Sequence, residues 1–359
     1  MSEERSQEAA NHRIHGCYSD IELDLKPLLK RGGLLAAANW PVVAIQFAAQ
    51  TTFQVLLAVP IIGAAILVAV LLGGDLANLL QGSMREIFTT ITDALMAHPV
   101  ALGAFLVAFF VALFGGSVLM FLVKGGTVAV MLEANDQTGD IERRPITLTN
   151  VSEAAAFSIR GYISGCGRLF RPYLHLGIGL MLAYAITGAA YLAFIVYGYQ
   201  AAGNGVLFIG WTFLAAIATV GLTLWITAIN LVYLLLQIAM AAGHETLGDA
   251  GREVARFVRA ELRELSGIFF IVFAILLAAW LASFLAWSGV GLIAFVPLVG
   301  LAVFPLQLAA LLLRGLVFEY IGLTAMGAYV SLYRRYIEAD VERTAARAPV
   351  DASALRPAH

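Results

Sequence analysis

The sequence predicts an all-α fold, a polytopic membrane helical bundle with six transmembrane helices. Apolar residues make up 60% of the chain and charged residues only 13%, whereas soluble domains carry about 25% charged residues. Six segments reach the roughly 20 mostly apolar residues needed to cross a hydrocarbon core about 30 Å thick. The predicted spans are residues 51–73, 100–123, 173–199, 206–229, 266–287 and 291–313.

Positive charges predict how the chain is oriented. Of its 22 Lys and Arg residues, only Arg85, Lys124 and Arg314 lie outside the two termini and the loops 134–172 and 244–265. Loops rich in Lys and Arg are retained in the cytosol during insertion, so we predict that both termini are cytosolic. The first twenty residues lack the apolar core of a signal peptide, and the first span is therefore expected to direct insertion.

A signal for the start of a helix occurs three times on the predicted cytosolic side. Each resembles a capping box, in which a polar side chain caps the helix and an acid three residues later reaches back. The pairs are Ser19 and Glu22, Asn150 and Glu153, and Thr246 and Asp249. Each pair precedes a polar–apolar stretch and then glycine, which is expected to end or bend a helix before the next span. The glycines are Gly32 and Gly33, Gly165 and Gly167, and Gly267.

These signals predict three repeats, each an interfacial amphipathic helix followed by a transmembrane hairpin. Pro27 lies in the first interfacial segment and is expected to kink or shorten that helix. The predicted organisation is a disordered cytosolic tail at 1–18, a membrane domain at 19–335 with repeats at about 19–135, 146–243 and 244–335, and a cytosolic tail at 336–359.

The second helix of each hairpin continues past one polar residue, Lys124, Asn230 or Arg314. Such a helix is too long for the bilayer, so it either tilts or carries its extra turns out of the lipid. We expect the extra turns to pack against the interfacial helices. Lys124 and Arg314 occupy equivalent places, where they either converge on an anionic group such as a lipid phosphate or extend toward water at the membrane surface.

Two polar stripes are candidate sites. Arg252, Arg256, Arg259 and Arg263 follow at steps of four, three and four and predict one basic helix face, opposite Val254, Val258, Leu262 and Leu265. This face suits anionic lipid head groups, with each cation worth about 1 kcal/mol, although a solvated cytosolic face explains it equally well. Gln46, Gln50 and Gln54, with Asn39 on the same face, predict either a polar path through the membrane or hydrogen bonds between helices.

Sequence motifs give no support for catalysis, metal binding or nucleic-acid binding. The phosphate-binding loop GxxxxGK[ST], the zinc helix HExxH and the nucleophile elbow GxSxG are absent. His12, His15 and Cys17 lack a fourth ligand, and a capping role suffices for His244, Glu245 and Asp249. We therefore predict no catalytic residue, no metal and no cofactor, and we expect reduced thiols at Cys17 and Cys166.

Residues 74–99 form the only sizeable predicted loop on the other side of the membrane. Within it, residues 84–97 carry Ile87, Ile91 and Leu95 at a spacing of four, which predicts a short amphipathic helix that either rests on the outer interface or binds a partner.

Two stretches resemble the membrane domain that accompanies some bacterial glycerophosphodiester phosphodiesterases. They are SEAAAFSIRGYISGCGRLFRPYLHLGIGL and GREVARFVRAELRELSGIFF, and the likeness covers residues 19–335. The resemblance implies a multi-pass protein of the bacterial inner membrane. It carries no catalytic residues, and the soluble phosphodiesterase domain is not present in this sequence.

The leading hypothesis is a non-enzymatic membrane protein that organises anionic or other membrane lipids, or a partner membrane protein. The alternative is a transporter or permease subunit whose path uses the glutamine stripe with Lys124 and Arg314. A third class, an intramembrane enzyme acting on lipid, has no paired carboxylates or nucleophile and base to support it.

Overall fold

The computed structural model describes residues 25–73, 90–91, 93–202, 206–243, 246–294 and 297–347. Within these ranges the chain forms helices joined by turns, with no strand. The elements are α1 (Leu25–Ala38), α2 (Trp40–Leu72), α3 (Pro99–Gln137), a 3₁₀ turn (Ile141–Arg143), α4 (Leu148–Glu153), α5 (Ile159–Ala202), α6 (Val206–Ala241), α7 (Leu247–Ala260), α8 (Leu262–Ala294) and α9 (Pro297–Arg347).

Six of these helices are long and apolar enough to cross a membrane, which confirms the predicted fold class. The first five predicted spans each overlap one helix almost completely, but the sixth was placed too early, because residues 291–294 still belong to α8. The candidate spans are Trp40–Leu72, Pro99–Gln137, Ile159–Ala202, Leu207–Ala241, Leu262–Ala286 and Pro305–Arg343. In the most apolar window of each span only 0–17% of residues are buried, so most of these side chains face away from the protein.

The chain divides into two compact units, and three of the six long helices, α2, α3 and α6, contribute one part of their length to each unit. Unit 1 contains the described parts of Met1–Val43, Val130–Ser158 and Thr227–His359, and unit 2 contains those of Ala44–Ala129 and Ile159–Ile226. The predicted membrane domain of residues 19–335 therefore contributes to both units.

Unit 1 is organised around α1, which packs along α9 and also contacts α4, α8 and the 3₁₀ turn. Gly32 permits a close approach, because a Cβ atom there would overlap the Thr324 carbonyl oxygen and lie 2.7 Å from the Ala328 backbone nitrogen. Adjacent Gly33 is not crowded, since its Cβ would meet only side-chain atoms at 3.7 Å. We call α1, residues 130–158 and residues 323–338 of α9 the polar base.

Within unit 2, α3 and α5 come into contact through glycine. A Cβ atom on Gly165 would lie 2.6 Å from the Cβ of Ala129 and 3.3 Å from the Cα of Gly126. Tyr162 then reaches across α3 and donates its hydroxyl hydrogen to the Val123 carbonyl oxygen at 3.0 Å. The interhelical contact thus depends on the absence of a side chain at Gly165.

The glycines expected to end helices lie inside them instead. Gly32 and Gly33 are within α1, Gly165 and Gly167 within α5, and Gly267 within α8. The expectation was wrong because Gly32 and Gly165 serve close contacts, and a Cβ on Gly267 would similarly lie 2.6 Å from Leu25. The actual breaks fall at Asn39, between α1 and α2, and at Glu261, the residue that ends α7.

Two of the predicted helix starts lie in the described residues. Thr246 caps α7 by accepting a hydrogen bond from the Asp249 backbone N–H at 3.1 Å, as predicted. For α4 the cap is Thr147, which accepts from the Asn150 N–H at 3.3 Å. The predicted cap Asn150 therefore lies within the helix, because the threonine three residues earlier takes that role.

The three-repeat organisation is not confirmed. In the first and third predicted repeats a separate helix, α1 or α7, precedes the span, but the second predicted repeat differs. There α4 has six residues, and the polar stretch after Ile159 continues without a break into the long span of α5. Pro172, at the predicted boundary, lies inside α5.

The second helices of the hairpins, α3, α6 and α9, each pass from an exposed apolar part into a buried part. This burial agrees with the expectation that their extra turns pack against protein, as α9 does along α1, whereas their exit from the lipid stays a prediction. The buried side chains include Val128, Val130, Met131, Leu132 and Ala134 of α3, Leu235, Ile238, Ala239 and Met240 of α6, and Leu323, Met326, Ala328, Val330, Leu332 and Tyr333 of α9.

Several predictions lie outside the described residues. They concern the 1–18 tail, the Ser19 and Glu22 pair, His12, His15 and Cys17, His244 and Glu245, and residues 348–359 of the C-terminal tail. Half of the predicted helix at 84–97 falls there too, and within its described half residues 90–91 and 93–96 are helical. Pro27 lies in the first described turn of α1, where the lack of a backbone N–H is tolerated.

Candidate functional site

Arg31 is the centre of the polar base. Its Nε donates to the Asn135 Oδ1 at 2.9 Å, and its Nη1 donates to the Gly139 carbonyl at 2.8 Å and to the Glu142 carboxylate at 2.9 Å. Its Nη2 donates to the carbonyls of Asn135 at 3.1 Å and Thr138 at 2.8 Å. With five bonds and a side chain only 13% exposed, this guanidinium uses the full donor capacity of an arginine.

Further bonds close the base around Arg31. Lys30 donates to the Glu142 carbonyl at 2.6 Å, and Ser331 donates to the Asn135 Oδ1 at 2.9 Å. Arg334 pairs with Asp136 at 2.5 Å. The last turn of α3 is thereby held between α1 and α9, and the segment that follows it is bonded to α1.

An open cleft of about 380 Å³ lies among these residues. Its charges balance, because it is lined by equal numbers of basic and acidic side chains. They are Arg31, Arg143, Arg334 and Arg335, and Asp136, Asp140, Glu142 and Glu338. Since the arginines all pair with carboxylates of the chain, the cleft offers little net charge to select an ion.

Asn39 joins the break after α1 to the segment after α4. Its side-chain amide donates to the carbonyls of Leu35 and Ala154, both at 3.0 Å, and its Oδ1 accepts from the N–H groups of Ala156 at 2.9 Å and Phe157 at 3.0 Å. The side chain is completely buried and satisfied. Its role is to fix the chain between two helices.

Arg31 was not among the predicted site residues. It was counted only among the cytosolic cations, because its partners lie more than 100 residues away in the sequence. The only local signal is that a basic pair, Lys30 and Arg31, precedes two glycines on a helix whose other charged residue is Lys26.

The glutamine stripe does not form one continuous buried face. Gln46 is 1% exposed and its Oε1 accepts from the Thr127 hydroxyl at 3.1 Å. Gln50 is half-buried, whereas Gln54 is exposed. At Gln46, therefore, the amide bonds to a neighbouring helix.

The four arginines of the predicted basic stripe belong to two helices. Arg252, Arg256 and Arg259 are exposed on α7, while Arg263 is exposed on α8, beyond the break at Glu261. Arg252 pairs with Asp249 at 2.7 Å and Arg256 with Glu253 at 2.5 Å.

The apolar face of α7 is shorter than predicted. Val254 and Phe257 are buried there, but Leu262 follows the break and is 57% exposed. Phe257 packs against Tyr333 and Tyr336 of α9, with ring centroids 5.2 Å and 5.3 Å away. These contacts attach α7 to α9 within unit 1.

Lys124 and Arg314 lie in different compact units, so their convergence on one anion stays a prediction. Lys124 is half-buried on α3. Arg314 is exposed on α9, and its guanidinium carbon lies 5.6 Å from the centre of the Phe318 ring. Within the described part of the chain, Arg314 makes no hydrogen bond or ion pair.

A groove of about 390 Å³ runs between α8 and α9 and passes Arg314, with Val317 and Phe318 lining it beyond that residue. Its lining is mostly apolar, and small side chains on α8 make it narrow. The residues are Ala279, Ala282, Ser283 and Ala286 of α8, and Leu306, Gln307, Ala310, Leu311, Leu313, Arg314, Val317 and Phe318 of α9.

Among the residues that the structure describes, no group of three or more His, Cys, Asp or Glu side chains is placed to hold a metal ion. Cys166 is a buried free thiol on α5.

Comparison with family models, with curated proteins and with solved structures gave no match. The resemblance to the phosphodiesterase-associated membrane domain therefore stays a prediction.

Proposed function

We propose that this chain is a non-enzymatic multi-pass protein of the bacterial inner membrane that organises membrane lipids or a partner membrane protein. One observation carries the proposal: Arg31 at the centre of the base bonds within the chain, whereas the large apolar side chains of the spans remain exposed. Val59, Val70, Val107 and Phe213 are among those with more than half of their surface exposed. Such surfaces are available to lipid or to other helices.

A polar transport path receives less support from the same residues. Gln46 bonds to Thr127, and Gln54 is exposed on α2. In the polar base, Arg31 bonds to backbone and side-chain groups of its own chain, which leaves its donors unavailable to a passing solute. Polar groups that serve transport line a cavity or pathway.

The proposal includes cytosolic termini and interfacial placement of α7. The exposed Arg252, Arg256 and Arg259 face away from the buried Val254 and Phe257, so α7 is suited to lie beside anionic head groups. Each cation near such a surface contributes about 1 kcal/mol.

Reconstitution into liposomes distinguishes an organising role from transport. We expect no flux of ions or small polar solutes above that of protein-free liposomes, and retention of a lipid or partner at fixed stoichiometry in native mass spectrometry. Flux that disappears when Gln46, Gln50 and Gln54 are replaced by leucine in a protein that still folds would establish the transporter and overturn the proposal.

Orientation has its own test, in a variant whose Cys17 is replaced by serine. Leu148→Cys and Val100→Cys place thiols at sites that are 91% and 85% exposed, on opposite predicted sides of the membrane. We expect an impermeant thiol reagent to label Val100→Cys in intact spheroplasts and Leu148→Cys only after lysis. The reverse pattern would show that the orientation is inverted.

A further inference from the structure

We propose that the α8–α9 groove binds one acyl chain of an anionic phospholipid, whose phosphate accepts hydrogen bonds from Arg314. This inference deepens the proposed function, on which it rests, by naming a lipid class and a site. It begins with the unusual surroundings of Arg314. The residues around it on α9, Leu312, Leu313 and Val317, are exposed and apolar.

Arg314 lies well beyond the protein-packed part of α9. Leu323 is the first residue of α9 that is buried in the base, and the step of nine residues from Arg314 to Leu323 corresponds to about 13 Å of helix. The Arg314 guanidinium gains from a hydrogen-bond acceptor, because a charged donor without a partner is costly in apolar surroundings. The Phe318 ring offers its face at 5.6 Å but no acceptor atom.

The length of the groove favours a lipid as its occupant. From Arg314 to Leu306 the helix advances eight residues, or about 12 Å, and a single leaflet is about 15 Å deep, half of the hydrocarbon core. A phosphate at Arg314 would therefore direct one acyl chain along the groove within its own leaflet. A partner transmembrane helix would instead need a surface extending about 30 Å across both leaflets.

The polar Arg314 and the apolar lining from there to Leu306 together fit one amphipathic molecule. Arginine provides a planar fork of donors that matches phosphate, and the alanines of α8 leave room for a narrow chain. No carboxylate among the described residues pairs with Arg314. The positive group of a zwitterionic head group would therefore find no acidic partner beside it. An anionic lipid is therefore preferred.

The test compares lipid retention by the full-length protein in nanodiscs that contain equal amounts of phosphatidylglycerol and phosphatidylcholine. Native mass spectrometry after extraction gives the ratio of the two lipids bound. We expect wild type to prefer phosphatidylglycerol, with Arg314 contributing about fivefold, as one basic contact at a membrane surface provides. Arg314→Gln should lower the ratio by that factor.

Two further variants keep the test specific. Ala282→Phe fills the groove at an exposed position and should reduce retention of both lipids. Arg143→Gln removes a cation that is 80% exposed and lies outside both the groove and α7, and it should retain the wild-type preference. Far-ultraviolet circular dichroism and size-exclusion chromatography verify that each variant is folded.

Three outcomes would overturn the inference: an unchanged preference in folded Arg314→Gln, inorganic phosphate bound at Arg314 with no lipid retained in the groove, or a membrane protein bound at the groove in place of lipid. If a membrane protein binds at the groove and is lost in Ala282→Phe, the proposed organising role still holds, because that role includes a partner membrane protein. Solute flux without a change in lipid retention would overturn the organising role alone.

Discussion

Two arginines in unit 1 illustrate the contrast between the polar base and the α8–α9 groove. Arg31 makes five hydrogen bonds to its own chain and is 13% exposed on its side chain. Arg314 is exposed and stacks only on Phe318 within the described residues. The difference teaches that the first cation stabilises the fold, whereas the second is left for a molecule outside the chain.

Removing Arg31 should have the largest effect. Arg31→Met leaves the 14% exposed Glu142 carboxylate and three carbonyl groups without their donor, and breaking such a pair costs about 3 kcal/mol or more. Denaturant titration in micelles, followed by tryptophan fluorescence, should show this loss in the free energy of unfolding. Arg143→Met is the matched control, because that arginine is 80% exposed and should change stability by less than about 0.5 kcal/mol. Equal effects of the two substitutions would show that the buried, bonded arginine stabilises the fold no more than the exposed one.

The next largest effect is expected at Gly32. Gly32→Ala places a Cβ atom against the backbone of Thr324 and Ala328, so α1 must move away from α9 at a cost of about 2–3 kcal/mol. Gly33→Ala is the adjacent control, because its Cβ meets atoms only at 3.7 Å and alanine favours a helix by about 0.8 kcal/mol. Thermal unfolding monitored by circular dichroism should separate the two variants. A stable Gly32→Ala would show that the α1–α9 contact is not tight.

A smaller effect is expected at the start of α7. Thr246→Ala removes the cap that accepts from the Asp249 N–H, and such a loss costs about 1 kcal/mol. Hydrogen exchange of the amides in the first turn of α7 should speed up accordingly, while exchange in α9 remains unchanged. Thr246→Ser keeps the hydroxyl and should exchange as wild type does. If both variants exchange alike, capping does not hold this end of the helix.

The smallest effect on stability should come from Arg314. Arg314→Gln removes no bond to a described residue, so the free energy of unfolding in detergent should change by less than about 0.5 kcal/mol. The same denaturant titration used for Arg31→Met gives a direct comparison. A loss as large as that at Arg31 would mean that Arg314 supports the fold and would erase the contrast between the two sites.

Local signals predicted part of this structure. The six apolar segments identify the spans, because hydrocarbon requires a long run of apolar residues wherever it is crossed. The Thr246 cap was predicted because its partner Asp249 is three residues away. By contrast, Gly32 and Gly165 were expected at helix ends, but the helices they contact are distant in the sequence and give no local sign.

For the candidate site, too, local sequence predicted single residues, whereas their contacts with distant segments were not predicted. Gln46 was singled out by spacing, but only the tertiary structure pairs it with Thr127, 81 residues away. Arg314 was singled out as a cation after an apolar run, but the groove beside it requires α8 and α9 to be placed side by side. Arg31 was missed because nothing in its own segment distinguishes a bonded arginine from a solvated one.

The sequence by itself determined that the chain is helical and crosses a membrane, because the lipid environment acts on each segment separately. The tertiary structure alone decided which polar residues bond within the protein and which remain available. The physical reason is that a hydrogen bond depends on the positions of two groups, and in the base those groups come from helices more than 100 residues apart.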